Sequence, residues 1–287
     1  MRAQSSLDAP VRRRRVRIRV APGITVRGVW TTPVRAPGPR GTPVAAAIAL
    51  AHGAGGTLEQ PLLVALADGL AACGAHVLRF NFPYSDAGRG APDRAPTLIA
   101  TVAAAARWIA ARPEAKGLPL VLGGKSMGGR MASMLLAGAP PGPGVPGGDV
   151  PGEAPPAAGL LLVGYPLHPA GQPTKLRAEH LARVPCPLLF LEGTRDPLCD
   201  LALLRPALRK LGRRATLHVV EGGDHSFAVP RGLGRTAADV VAELVAASVA
   251  WLSTLRKNVR RSETMKRPRS ASAKLAAPTS SSRRRAR

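Results

Sequence analysis

Aromatic side chains are scarce: three tryptophans, two tyrosines and four phenylalanines stand among 287 residues. A core of ordinary size must therefore be built from leucine, valine and alanine, which a 45% hydrophobic content allows. Cysteine is as rare. Cys73, Cys186 and Cys199 are scattered and odd in number, which argues against a disulfide framework and fits a reduced, cytoplasmic setting. Long hydrophobic runs are missing too: no stretch reads as the ~20 apolar residues that span a bilayer. No apolar segment follows the arginine-rich start, so the pattern of a signal peptide is not met.

Acidic residues number 17 against 41 lysines and arginines, giving a net charge of +24. That charge is concentrated at the ends: residues 2–19 carry +6 and residues 256–287 carry +11, leaving +7 between them. Without interleaved aromatics or a groove-reading motif, the ends offer no specific nucleic-acid site. A polyanion would be held there non-specifically and released by salt. Residues 1–14 and 256–287 read as disordered basic extensions of a single domain, 15–255, which a Pro/Gly-rich insertion interrupts at 140–158.

Within the domain, uncharged apolar runs alternate with helical periodicity. Val16–Val20 alternates apolar and basic, Pro22-Gly23 turns the chain, and Ile24–Trp30 returns, which predicts an antiparallel hairpin. A Pro/Gly loop follows from Pro33 to Pro43. Buried strands are expected at 44–50, 75–80, 120–122, 159–164, 187–191 and 214–220. Helices are expected around Leu62–Cys73, Thr97–Arg112, Leu201–Leu211 and Val240–Leu255. The pattern predicts an α/β fold with a mostly parallel central sheet, an N-terminal antiparallel hairpin and helices on both faces. About 20 residues separate the strands at 159–164 and 187–191, too few for a large lid domain.

The chemistry centres on Gly124-Lys125-Ser126-Met127-Gly128, a G-x-S-x-G turn between an apolar strand and a helix. A serine at so sharp a turn needs neighbours without side chains. Gly124-Lys125-Ser126 also resembles the end of a phosphate-binding loop, but Pro119 stands where that loop needs its first glycine, and the residues between are strand-like. Two further reactive residues follow strands: Asp196 in EGTRDP and His225 in GGDHSF. Each taken singly has another reading, Asp196 as a cap for the helix near Asp200 and His225 as a loop histidine. Together, in the order Ser, Asp, His on an alternating β/α chain, they match a nucleophile, a base and the carboxylate that orients it. The His52-Gly53-Ala54 turn after the strand at 44–50 suits an oxyanion loop, with amides of Met127 and of Gly53 or Ala54 as donors. Asn81, Tyr84 and His168 also follow strands; side chains in such places either line substrate or brace the loop.

These stretches resemble the α/β-hydrolase superfamily, and more narrowly its dienelactone-hydrolase-like branch, which includes testis-expressed proteins and a scaffold subunit of a chromatin acetyltransferase complex. The matching segments are AHGAGG (51–56), LRFNFPY (78–84), GGKSMGGRMAS (123–133), GYPLHP (164–169), EGTRDP (192–197) and GGDHSF (222–227). The resemblance implies the α/β-hydrolase fold and carries the triad onto Ser126, Asp196 and His225. Dienelactone hydrolases proper use a cysteine nucleophile, so their substrate does not transfer. The expected activity is cofactor-free, metal-free hydrolysis of a small ester or related acyl compound through an acyl-serine. The alternative is a catalytically silent fold that serves as an interaction module.

Overall fold

The computed structural model describes residues 9–34, 44–139 and 154–266. Most of the loop expected at 33–43 and of the insertion expected at 140–158 lies outside them, as do the first eight residues and those beyond 266. Strands β1 (Val11–Ala21), β2 (Ile24–Pro33), β3 (Ala47–Ala51), β4 (His76–Phe80), β5 (Leu120–Lys125), β6 (Gly159–Val163), β7 (Leu188–Gly193) and β8 (Ala215–Val220) form one sheet. Their spatial order is β1-β2-β4-β3-β5-β6-β7-β8. β1 and β2 make an antiparallel hairpin, β2 lies antiparallel to β4, and every later pairing is parallel.

The hairpin is longer than sequence alternation predicts. β1 begins at Val11, so residues 11–14 are strand and not disordered extension. The reason is cross-strand pairing: Arg12 lies opposite Thr32 and Arg14 opposite Trp30. Arg13 also reaches across to α1 (Pro61–Ala72), where its guanidinium makes two hydrogen bonds with Asp68 at 2.9 and 2.8 Å. The row of exposed arginines along this edge strand keeps it from pairing with another sheet.

Beyond α1 the helices are α2 (Pro83–Asp86), α3 (Ala95–Ala110), α4 (Met127–Leu136), α5 (Leu201–Leu211) and α6 (Ala237–Lys266). Alternate side chains of each buried strand face opposite ways. Ile48 and Leu50 pack with α1 and α6, while Ala47, Ala49 and Ala51 pack with the cluster that holds α3, α4 and α5. Leucine, valine and alanine dominate both layers, as the shortage of aromatics requires. Ala100, Ala104, Ala105 and Ala106 let α3 press closely on the sheet. One of the few aromatic contacts anchors it: Trp108 meets Trp30 edge-on at 5.5 Å.

Two sequence expectations change at the C-terminal helix. Ala237–Leu255 is long and apolar enough, by length and composition, to cross a membrane. Here Val240, Leu244, Val245, Trp251, Leu252 and Leu255 are buried in the core cluster shared with α1. Its Glu243 is paired with Arg235 and His218. The helix also runs on to Lys266, eleven residues past the boundary expected at 255. No glycine or proline interrupts that stretch; the first proline after it is Pro268.

α5 begins where Asp200 accepts a hydrogen bond from the Ala202 amide at 2.7 Å. Asp200→Ala is expected to lower unfolding free energy by about 1 kcal/mol, read from denaturant titration. An unchanged midpoint would show that the cap contributes nothing.

Candidate active site

β5 delivers Ser126 to the edge of the sheet where the strands end. The Ser126 amide donates to Val163 O at 2.9 Å, tying the elbow to β6. Its backbone then turns sharply, at φ 49° and ψ −118°, before α4 starts at Met127. Such geometry costs on the order of 1–3 kcal/mol and persists only when the surroundings enforce it. They do so by close approach: a Cβ on Gly124 would sit 2.3 Å from Ala51 O, and one on Gly128 2.5 Å from the same atom. The glycines of the motif are thus the condition for β5, α4 and the end of β3 to meet around Ser126.

His225 and Asp196 arrive from the loops after β8 and β7. Ser126 Oγ lies 2.9 Å from His225 Nε2, and His225 Nδ1 lies 2.7 Å from Asp196 Oδ2. The Asp196 side chain is fully buried, whereas that of His225 is 21% exposed. Asp196 Oδ1 accepts the Leu198 amide at 2.8 Å, so both carboxylate oxygens are occupied and the group is fixed. Asp224 sets the histidine turn by accepting the amides of Ser226 and Ala228 at 2.7 and 2.9 Å. The two loops touch so tightly that a Cβ on Gly193 would stand 2.1 Å from Gly223 O.

The loop after β3 lies against the serine; a Cβ on Gly53 would be 3.4 Å from Ser126 Cβ. Gly53 O is held inward by three donors: His52 Nδ1 at 2.7 Å, the Gly56 amide at 3.1 Å and Tyr84 OH at 3.4 Å. In a trans peptide the carbonyl and the following amide point opposite ways. The Ala54 N–H is therefore turned away from this buried cluster. Met127 opens α4, so its amide has no acceptor within the helix. Burial lowers the pKa of His52, whose Nε2 accepts the Phe82 amide at 3.1 Å, which keeps it the neutral tautomer the brace requires.

Asn81, Tyr84 and His168 are buried and bonded within the loops; Asn81 also lines a cleft at the hairpin, and His168 a cleft beside Asp196. Asn81 accepts the Leu58 amide at 2.6 Å and donates to Asp86 at 2.7 Å. Tyr84 is 1% exposed beneath Gly53. His168 joins Pro169 O at 3.0 Å and the Asp200 amide at 3.3 Å. Their polar atoms bond loop backbone and, for Asn81, also the Asp86 carboxylate, because strand-end loops must satisfy their own amides and carbonyls.

Sequence reasoning missed Glu192 and Lys125. Glu192 is fully buried at the end of β7, on the same face as Leu188 and Phe190, and its Oε1 accepts the Tyr165 amide at 2.7 Å. Oε2 has no hydrogen-bond partner. Burial, reinforced by the neighbouring Asp196, drives its pKa well above the usual carboxylate range. Lys125 is buried beside the same groups and its pKa is lowered, again chiefly by burial. The visible signal was a charged residue in each of two otherwise apolar central strands. Among the described residues no cluster of histidine, cysteine or carboxylate side chains is placed to hold a metal ion. A cleft of about 680 Å³ opens at the hairpin, lined by Arg15, Arg17, Arg27 and Glu59 among others, and is separate from Ser126.

The sequence profile of an alpha/beta hydrolase domain matches residues 44–253. Several solved structures share the fold. A dienelactone hydrolase from Anabaena variabilis is 18% identical with a TM-score of 0.62, covering 85% of this chain and 98% of its own. An alpha/beta serine hydrolase without a lid from Xanthomonas campestris is 18% identical with a TM-score of 0.57, covering 84% of this chain and 96% of its own. A cold-adapted esterase from an Arctic intertidal metagenomic library is 23% identical with a TM-score of 0.54, covering 88% of this chain and 95% of its own.

Proposed function

The chain belongs to the alpha/beta hydrolase family, and from that premise we propose that it is a serine hydrolase that cleaves a small ester or related acyl compound. The observation that carries this reading is the continuous hydrogen-bonded path from Ser126 Oγ through His225 to Asp196, at 2.9 and 2.7 Å. A serine hydroxyl is a weak nucleophile until a base removes its proton, and His225 Nε2 stands at the distance for that transfer. As Ser126 Oγ attacks the carbonyl carbon, its proton passes to Nε2, and Asp196 stabilises the imidazolium that results. The carbonyl oxygen becomes an oxyanion held by the amides of Met127 and Ala54. Collapse of this intermediate breaks the ester bond, and His225 returns the proton to the leaving alkoxide. Water, deprotonated by His225, then attacks the acyl-serine; the acid is released and Ser126 regains its proton.

The test is reaction with a fluorophosphonate followed by mass spectrometry of the digested protein. One phosphonyl group on the peptide that contains Ser126 is the expected result. A well-folded protein that takes up no phosphonyl group would overturn the reading and favour the silent interaction module.

A further inference from the structure

One cluster near the site is used by none of these steps. Arg130 lies on α4, one turn beyond Ser126, and its amide donates to Ser126 O at 3.0 Å. Arg177 lies in the loop after β6, pinned by its amide to Leu167 O at 2.7 Å and by Tyr165 OH to its own carbonyl at 2.7 Å. The two backbones are joined through buried hydroxyls. Ser133 Oγ donates to Arg130 O at 2.7 Å, and the Tyr165 hydroxyl lies against Ser133. Neither guanidinium has an acid partner or a hydrogen bond among the described residues, and Arg130 Nε is buried with its proton unmatched. Their closeness is unfavourable as it stands: Arg130 adds to the effect of burial in lowering the pKa of Arg177. Nearby His180, donating to Ser133 at 2.8 Å, is pushed down to about 4 by burial and by Arg130 and Arg183, and so stays neutral beside them.

Buried donors are normally matched, and an unmatched one beside a second free cation calls for an acceptor from outside the chain. We propose that Arg130 and Arg177 form a binding site for a phosphate monoester, so that the compound attacked by Ser126 carries a phosphate group. Two uncompensated guanidiniums match the near-dianionic charge of a phosphate monoester at neutral pH, whereas a carboxylate would leave one positive charge unanswered. Arg130 stands on the first turn of α4, four residues along the chain from Ser126. The N-terminal end of α4 adds its own attraction for an anion. The Arg177 side of the site is tied to the histidine side of the triad. Tyr165 follows Gly164, where a Cβ would stand 3.3 Å from His225 O. The role of the bound group rests on the serine-hydrolase reading; binding of the anion does not.

Two measurements on the full chain separate these claims. In the first, inorganic phosphate is titrated calorimetrically in about 150 mM salt. Wild type and Ser126→Ala should bind one phosphate, and R130M and R177M should each bind at least about 10-fold more weakly. Variants R15Q/R17Q and R283Q/R284Q/R285Q are the controls for the hairpin and for the C-terminal arginines. Binding that survives in both R130M and R177M, or disappears in a control, would sink the proposal. In the second, kcat/KM is compared for a phosphate-bearing ester and its neutral counterpart. The preference for the former should fall at least about 10-fold in R177M. Phosphate binding without that preference would overturn the substrate assignment and leave a free-phosphate site. Hydrolysis of neither ester would count against the serine-hydrolase reading, while the calorimetric result would stand.

Discussion

Ser126→Ala and His225→Ala should each reduce kcat for p-nitrophenyl acetate by about 10⁶-fold, and the double variant should fall no further. The two residues act in one event. Without the hydroxyl the imidazole has no proton to take, and without the imidazole the hydroxyl is not activated. Removing the second member of a broken pair therefore removes nothing more. Asp196→Asn should be milder, about 10⁴-fold, because serine and base remain while the imidazole loses its correct tautomer and its stabilising charge. A residue of catalysis should persist in all three, since the amides of Ala54 and Met127 are backbone groups that no side-chain change deletes. The informative measurement is the double variant. Multiplicative losses would mean that Ser126 and His225 contribute independently, contrary to the 2.9 Å bond between them.

The meeting of Ser126, Asp196 and His225 was legible because each follows a strand that the apolar pattern marks clearly, and parallel strands end on one side of the sheet. The backbone donors were legible in part. Sequence placed Gly53, Ala54 and Met127 near the serine, but the orientation of the Gly53–Ala54 peptide depends on Gly53 O being held inward, in part by Tyr84, thirty-one residues away. Asn81, Tyr84 and His168 stand out in sequence because they are polar and follow strands; in the fold their polar atoms bond neighbouring backbone and, for Asn81, the Asp86 carboxylate. β1 and α6 were drawn too short for a related reason. Charge was read as a sign of disorder, whereas arginines on a paired edge strand and on an uninterrupted helix are compatible with regular structure. The Arg130–Arg177 cluster was out of reach, because it depends on the loop after β6 folding back over α4.

Glu192→Gln should stabilise the protein, and the gain should grow as pH rises above the ordinary glutamate value of ~4.3. Burial raises the pKa of Glu192 well above its ordinary value, so the folded protein retains a proton that the unfolded chain releases near pH ~4.3. Above that pH the folded state binds the extra proton, and stability falls with rising pH until the folded pKa is reached. The slope across this window is about 1.4 kcal/mol per pH unit for one group. Glutamine does not titrate, keeps an oxygen for the Tyr165 amide, and places an amide donor where the protonated carboxyl would hold its hydrogen. Lys125 bends the curve the other way. Its depressed pKa means that the unfolded chain holds the extra proton, so its contribution improves as pH rises toward the ordinary lysine value of ~10.4. Denaturant unfolding of wild type, Glu192→Gln and Lys125→Met from pH 5 to about 10 would resolve the two. A Glu192→Gln curve parallel to wild type would show that Glu192 is ionised in the fold. That would place the Glu192 carboxylate beside that of Asp196, with Lys125 as their counter-charge.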